Sequence, residues 1–321
     1  MKMKTLDDFK EFCRTDLSAD LHALEARRRA IAQKLLYVGA AAAGLAAIAL
    51  FFIIQSGIPF FPGITFPLII GGALFTFITH LSSKGYVRQF KNTIIRKIVK
   101  FLDEDLDYFP HRCIPRSTFM ASQIFKTRPN RYKGDDYVAG RIDATQIEFS
   151  ELHAVYESGS GKNKRRRTIF RGLFFIADFN KHFTCQTIVL PDTAENLFGS
   201  FGKLFQSWNV LRGQLIKLED PEFERYFVVY GDDQIQARYI LSTSLMERIV
   251  NFKQKTNRRI YLSFVGSKVF VAVSFTRNLF EPKLFQTLLD FGLLQEYFED
   301  LRLAAGIVDD LNLNTRIWSK E

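Results

Sequence analysis

The stretch that decides the fold is residues 35–54, which read LLYVGAAAAGLAAIALFFII. It contains neither a charged residue nor a proline. A helix of about 20 residues rises about 30 Å, which is the thickness of the hydrocarbon core of a bilayer. We therefore predict a transmembrane helix over residues 35–54.

A second uncharged stretch covers residues 60–78, and it contains Pro62 and Pro67 near its start. The intervening residues, QSGIP at 55–59, are few and carry no charge. Prolines are tolerated in membrane helices, although they kink the first turns. The two stretches together predict a transmembrane helical hairpin with spans at about 35–54 and 60–78.

The basic residues around the hairpin predict its orientation. They lie on both flanks and not in the turn: Arg27, Arg28, Arg29, Lys34, Lys84, Arg88, Lys91, Arg96, Lys97 and Lys100. Cytoplasmic flanks of membrane helices are enriched in Lys and Arg. We therefore expect both chain termini to be cytoplasmic, and this explains a good part of the formal net charge of +10.

Apolar residues recur at helical spacing on both flanks of the hairpin. Before it they are Leu6, Phe9, Cys13, Leu17, Leu21 and Leu24, and after it they are Tyr86, Phe90, Ile94, Ile98, Leu102 and Leu106. We predict helical stalks over residues 6–34 and 80–108 that pack antiparallel on each other, within a membrane domain of residues 1–109. The alternative is that each helix packs separately on the globular domain.

From Pro110 onward the apolar period changes from about 3.6 to about 2, which predicts a separate domain over residues 110–321. Residues 137–158 are expected to be mostly strand, with a bulge near Ser150, and Thr168–Phe179, which is apolar on both faces, is expected to be a central strand. Ile260–Phe275 is expected to be a hairpin turning at Gly266, and Pro282 to begin a last helix. The fold class is therefore α+β, with a mainly antiparallel sheet and packed helices in a cytoplasmic domain.

The basic segment at residues 159–167, GSGKNKRRR, is the strongest candidate site. It is not a phosphate-binding P-loop, because Tyr156 and Asn163 stand where that motif needs Gly and Ser or Thr. The candidate residues for binding an anion or lipid are Lys162, Lys164, Arg165, Arg166 and Arg167. The alternative is a solvated loop tip. Nucleic acid is an unlikely partner, because aromatic residues do not interleave the charges.

No catalytic pattern is recognisable in the sequence. The five histidines do not pair at ligand spacing, and the acidic pairs such as Asp135–Asp136 lie beside Gly, Pro or element ends, where Asp is a common turn residue. We therefore expect neither a metal nor a cofactor, and the catalytic residues, if any, are unknown.

Four motifs prompt a comparison with a known family: Gly134–Gly140 (GDDYVAG), Phe170–Lys181 (FRGLFFIADFNK), Phe227–Asp233 (FVVYGDD) and Ala237–Leu241 (ARYIL). With the early hairpin, they make most of the chain resemble an uncharacterised bacterial family, domain of unknown function thirty-one thirty-seven. The resemblance implies this architecture and a location in the bacterial inner (plasma) membrane. It implies no catalytic residue.

Three functions are compatible with these features. The first is a membrane-anchored cytoplasmic module that binds an unidentified protein partner or anionic lipid. The second is a membrane-tethered, hydrolase-like enzyme whose acids, such as Asp136 and Asp178, meet only in the fold. The third is transport, which spans without ionisable residues could support only in an oligomer, and the oligomeric state is unknown. We favour the binding module.

Overall fold

A computed structural model of the chain describes residues 4–56, 71–73, 76, 83–192 and 213–313. These residues form two units, each built from segments that are distant in sequence. The helical unit contains Lys4–Ile98 and Phe280–Phe298, and the sheet unit contains Val99–Leu279 and the described part of Glu299–Glu321. The domain ranges 1–109 and 110–321 stay a prediction.

The first described helices are α1 (Leu6–Thr15) and α2 (Ser18–Ser56). A capping box starts α1, as its sequence indicates: the Thr5 side chain accepts a hydrogen bond from the backbone of Asp8, whose side chain accepts one from the backbone of Thr5. Phe9, Leu17 and Leu24 on the predicted stripe are at most 1% exposed. The helical segment expected over residues 6–34 is therefore observed as two helices, with a break at Asp16 and Leu17.

The segment Ser18–Ile48 of helix α2 is long enough to cross a membrane, and it contains an 18-residue stretch with a mean hydropathy of 1.5. Large apolar side chains on it are exposed: Leu36, Tyr37, Leu45, Ile48, Phe51 and Phe52. Of the second predicted span, residues 71–73 and 76 are helical, and the rest of 60–78 lies outside the described residues. One N-terminal apolar helix is therefore observed, and a two-helix hairpin is not shown.

The chain continues with a helix at residues 83–90, a π-helical turn at Lys91–Ile95 and α3 (Arg96–Leu102). The helical segment at residues 83–102 contacts α2, as the two apolar rows in the sequence predict. Lys97 pairs with Asp20 at 2.6 Å, and Arg27 donates a hydrogen bond to Gln89. Leu106 does not continue the helix, so the predicted stalk over 80–108 is wrong at its end. Three successive acids, residues 103–105, follow the helix, and negative charge opposes the dipole at a helix C-terminus.

The described sheet has seven strands in antiparallel pairs, in the order β1-β2-β3-β4-β6-β5, with β7 also paired to β4. The strands are β1 (Leu106–Phe109), β2 (Arg131–Ile142), β3 (Thr145–Ser158), β4 (Arg165–Pro191), β5 (Gln214–Ile216), β6 (Phe227–Gly231) and β7 (Ile260–Ser274). The remaining helices are α4 (Arg116–Ala121), α5 (Pro221–Tyr226), α6 (Gln234–Ile240), α7 (Thr243–Thr256) and α8 (Phe291–Asp310). The predicted α+β class with an antiparallel sheet is confirmed.

Strand β4 is the central strand of this sheet, since β3, β6 and β7 all pair with it. The prediction of a central strand at Thr168–Phe179 is confirmed. One sheet face is covered by an apolar cluster in which Phe119 stacks on Phe125 with ring centroids 5.2 Å apart. Alternation along β3 and β4 places residues such as Phe149 and Phe175 on the opposite face.

Residues 137–158 are mostly strand, as expected, but Asp143 adopts a positive φ of 49° in a turn that divides them between β2 and β3. Two other local expectations are wrong. Ile260–Phe275 is not a hairpin, because β7 pairs with β4 on both sides of Gly266, which bends at φ +61°. The last helix begins at Phe291 and not at Pro282.

Candidate functional site

The basic segment forms the tip of a projecting β-hairpin. Strand β2 begins at Arg131, which lies opposite Val155 of β3. Past Val155, β3 pairs only with β4 among the described strands, through Tyr156 with Arg167, Glu157 with Arg166 and Ser158 with Arg165. Among the described strands, β7 ends earlier, at Ser274 opposite Gly172. Residues 156–167 are called the basic arm below. The arm protrudes because strands flank it on neither side.

The turn of the basic arm has a defined conformation. Gly161–Asn163 is a short 3₁₀ turn, and Gly159 adopts a φ of 81°. A Cβ atom at residue 159 would lie 2.4 Å from the Asn163 carbonyl oxygen, so only glycine fits there. A strand follows this turn, and a P-loop would need a helix.

One face of the basic arm carries a carboxylate with three cations. Glu157 pairs with Arg131 at 3.1 Å, with Lys164 at 3.1 Å and with Arg166 at 3.0 Å. Hydrogen bonds from Lys164 and Arg131 lower the pKa of Glu157. We call Glu157, Lys164 and Arg166 the glutamate face. The Glu157 carboxylate reduces the repulsion between the cations that surround it.

The other face carries Tyr156, Ser158, Arg165 and Arg167, since successive strand residues point to opposite sides. We call it the tyrosine face. Tyr156 is 41% exposed and lies directly opposite Arg167, whose side chain is also exposed. No acidic residue belongs to this face of the arm. The five predicted residues are therefore divided: Lys164 and Arg166 lie on one face, Arg165 and Arg167 on the other, and the Lys162 side chain lies outside the described part.

A row of three basic side chains extends the glutamate face into the sheet. Lys133, His153 and Arg171 lie directly opposite one another on three adjacent strands. Asn278 holds the guanidinium of Arg171 at 2.7 Å. Burial lowers the pKa of His153, and the nearby cations, including Arg171, lower it further. Sequence reasoning missed this row, because its members are far apart in the chain and only strand register joins them.

A second polar cluster contains Asp135, Asp136 and Glu151, whose carboxylate oxygens lie within 4.8 Å of one another and could hold a metal ion. These side chains also have structural contacts. Asp136, at φ +57° in a bulge of β2, accepts a hydrogen bond from the Tyr108 hydroxyl, and Glu151 accepts one from the Leu279 backbone at 2.8 Å. The expectation that the Asp135–Asp136 pair belongs to a turn is wrong, because both residues lie within β2, in a bulge opposite Glu151. The bulge expected near Ser150 lies on the partner strand.

The fold does not bring Asp136 and Asp178 together, as the hydrolase alternative requires. Asp136 lies in the bulge beside Glu151, which pairs with Leu173 of β4. Asp178 is five residues further along β4, which is about 17 Å at about 3.4 Å per residue. These two acids therefore cannot act on one bond in this arrangement.

The helical unit contains a second charge cluster, which is centred on the buried carboxylate of Glu25. The Glu25 carboxylate, on a residue 3% exposed, accepts hydrogen bonds from Arg28 at 2.8 Å, from Arg29 at 2.9 Å and from the Leu288 backbone at 3.1 Å. The bond from Arg28 holds the pKa of Glu25 far below its usual range. Because Arg28 also donates to the Leu284 carbonyl oxygen at 2.7 Å, the cluster joins residues 284–288 to α2.

Comparisons with known proteins agree with the resemblance seen in the sequence. No curated protein matches the chain. One similar solved structure is the mycobacterial trehalose monomycolate transport factor A, TtfA, with 11% identity and a TM-score of 0.35 over 71% of this chain and 96% of that chain; a similarity this low carries no argument. The family model of proteins of unknown function DUF3137 matches residues 168–313, which include three of the four motifs and exclude Gly134–Gly140. The predicted resemblance is therefore confirmed over residues 168–313, which match this family of unknown function.

Proposed function

We propose that the chain is a membrane-anchored interaction module whose basic arm binds an anionic partner. The observation that carries the proposal is the combination, in one chain, of an exposed apolar helix and a projecting basic hairpin. The helix supplies an anchor, and the arm supplies cations that protrude from the sheet. Acidic segments of a protein and anionic lipid headgroups are the two partners that fit this charge.

A two-span hairpin is the anchor that these contacts support best. The pairs Lys97–Asp20 and Arg27–Gln89 show that α2 and the helix at residues 83–102 run antiparallel. These two pairs place Ser83 beside about residue 33 of α2. From residue 33 to its end at Ser56, α2 is about 35 Å long. A helix made of the 27 residues from Ser56 to Ser83 would be about 40 Å long, which is enough for the chain to cross the membrane again.

Residues 71–73 and 76 are helical, and Thr76 donates to the Ala73 carbonyl oxygen at 2.8 Å. This short described piece supports a second membrane helix over residues 60–78. The basic residues on both flanks then favour cytoplasmic termini in an inner-membrane protein. The basic arm would lie in the cytoplasm with them.

The proposed function is tested by the binding of two anionic probes, one a peptide and the other a lipid vesicle. The full chain would be placed in nanodiscs of neutral phosphatidylcholine, and a polyglutamate peptide and phosphatidylglycerol vesicles would be titrated separately. The test variant changes the five arm residues, Lys162, Lys164, Arg165, Arg166 and Arg167, to Ser. The control is Arg141→Ser, an exposed cation at the other end of the β2–β3 pair.

We expect the wild type and the control to bind at least one probe, and the five-residue variant to lose more than about a hundredfold in affinity, since each basic residue near an anionic surface contributes about fivefold. Binding of neither probe by the wild type, or equal binding by the five-residue variant, would reject the proposed function.

A further inference from the structure

We propose that the loop at residues 281–290 rests on the surface of the bilayer that anchors α2, and that it inserts Phe285 and Leu289 among the lipid headgroups. The juxtaposition of two exposed apolar side chains with the start of the charge-free stretch of α2 carries the inference. It rests on the membrane anchor of the proposed function, and it assigns a lipid contact that does not involve the basic arm.

The loop presents its apolar side chains in two directions. Leu288 is fully buried, whereas Phe285 is 71% exposed and Leu289 is 41% exposed. A hydrogen bond from the Gln286 backbone N–H to the Lys283 carbonyl oxygen, at 3.3 Å, closes a turn at Phe285. Single exposed apolar residues are ordinary on a protein surface, but two large ones on one short loop form a patch that suits an apolar partner.

The charge cluster around Glu25 fixes the position of the loop along α2. Arg28 donates to the Leu284 carbonyl oxygen at 2.7 Å, and the Leu288 backbone donates to Glu25 at 3.1 Å. The charge-free stretch begins at Leu35, which is about 10 Å along the helix from Arg28 and about 15 Å from Glu25. The headgroup layer of a bilayer is about 5–8 Å thick on each side. The loop and α2 belong to the same helical unit, so the loop lies next to this layer when α2 is in the membrane.

The part of α2 beside and beyond the loop has the composition of a membrane–water boundary. Arg27, Arg29 and Lys34 precede the charge-free stretch, and cations at this depth attract anionic headgroups. Tyr37, just inside the stretch, is 75% exposed, and tyrosine is enriched at membrane interfaces. Phenylalanine and leucine strengthen interfacial binding in proportion to the apolar area that they bury. A lipid surface is therefore the partner that matches both the chemistry and the position of Phe285.

The test measures the depth of the loop in the bilayer that holds the full chain. Trp208 and Trp318 are replaced by Phe, and a single tryptophan is introduced by Phe285→Trp. Two matched reporters lie on α2: Leu45→Trp, exposed in the middle of the charge-free stretch, and Ala19→Trp, exposed about 24 Å before that stretch begins. Each protein is placed in nanodiscs of phosphatidylcholine that is unbrominated, brominated near the headgroup, or brominated near the ends of the acyl chains.

We expect the emission of Phe285→Trp to be blue-shifted and to be quenched more by the bromines near the headgroup than by the deep ones. Leu45→Trp should show the opposite order, and Ala19→Trp should keep its full emission in all three lipids. Equal emission of Phe285→Trp in brominated and unbrominated lipid would overturn the inference, whether the side chain stays in water or is covered by another protein surface. Quenching of Ala19→Trp as strong as that of Phe285→Trp would overturn it as well.

The Leu45→Trp reporter separates this inference from the proposed function. If Leu45→Trp is quenched and Phe285→Trp is not, the anchor stands and only the loop contact fails. If neither is quenched, the membrane anchor of the proposed function fails together with the inference.

Discussion

Among the described residues, two carboxylates bind several cations, and the clusters differ in how exposed the cations are. The Glu25 side chain is 4% exposed and binds Arg28, which is 12% exposed, a backbone N–H and the exposed Arg29, whereas the Glu157 side chain is 11% exposed and binds three cations that are all 52–66% exposed. Breaking a buried pair leaves an uncompensated charge in a poor solvent, but water replaces a partner lost at the surface. The comparison teaches that the Glu25 cluster stabilises the helical unit, whereas the basic arm can exchange its partners and is suited to binding.

The largest expected change in stability follows from removing the buried carboxylate of Glu25. Glu25→Ala removes the acceptor of Arg28 and of the Leu288 backbone, and breaking such a pair costs about 3–5 kcal/mol. We expect Tm to fall by about 10 °C when unfolding of the full chain in detergent is followed by circular dichroism. The control Glu11→Ala, an exposed acid on α1, should shift Tm little. Equal shifts for the two variants would show that the Glu25 cluster is not structural.

The pH dependence of stability gives a smaller effect of the same origin. The folded-state pKa of Glu25 is lowered, so its stabilisation is complete above the ordinary value of 4.5 and is lost as the pH falls below that value. The Tm advantage of the wild type over Glu25→Gln should therefore shrink between pH 7 and pH 3. An advantage that stays constant over this range would contradict the assigned cause.

The smallest expected effect on stability is at the arm. Glu157→Gln should leave Tm unchanged within error, because Arg131, Lys164 and Arg166 are exposed and water can solvate them. The same substitution removes a negative charge from the arm, so binding of phosphatidylglycerol vesicles should strengthen a few-fold. A large fall in Tm without stronger binding would make Glu157 a structural residue like Glu25 and would remove the contrast.

The sequence predicted the elements that local patterns determine. The apolar helix at residues 35–54 and the central strand at Thr168–Phe179 are both observed, because a charge-free length and an apolar period are local properties of the sequence. The basic arm was recognised from composition alone. Its two faces were not, because they depend on the register of Tyr156 with Arg167 and on the alternation of strand residues.

Long-range contacts account for the errors. Gly266 resembles a hairpin turn, but β4 is long enough to pair with both halves of β7, so tertiary pairing overrides the turn signal. Likewise, residues 284–288 are held by Glu25 and Arg28, which are more than 250 residues away in sequence, and no helix begins at Pro282. Neither partner could be inferred from a local window.

The most direct test of the account is whether the membrane separates the end of α2 from the basic arm. Single cysteines would be placed at Gln55 or at Ser160, both exposed, in a chain without its native cysteines, and intact cells would be treated with a membrane-impermeant thiol reagent. We predict that Gln55→Cys is labelled in intact cells and that Ser160→Cys is labelled only after permeabilisation. Labelling of both positions only after permeabilisation would contradict a membrane-spanning anchor with a cytoplasmic arm.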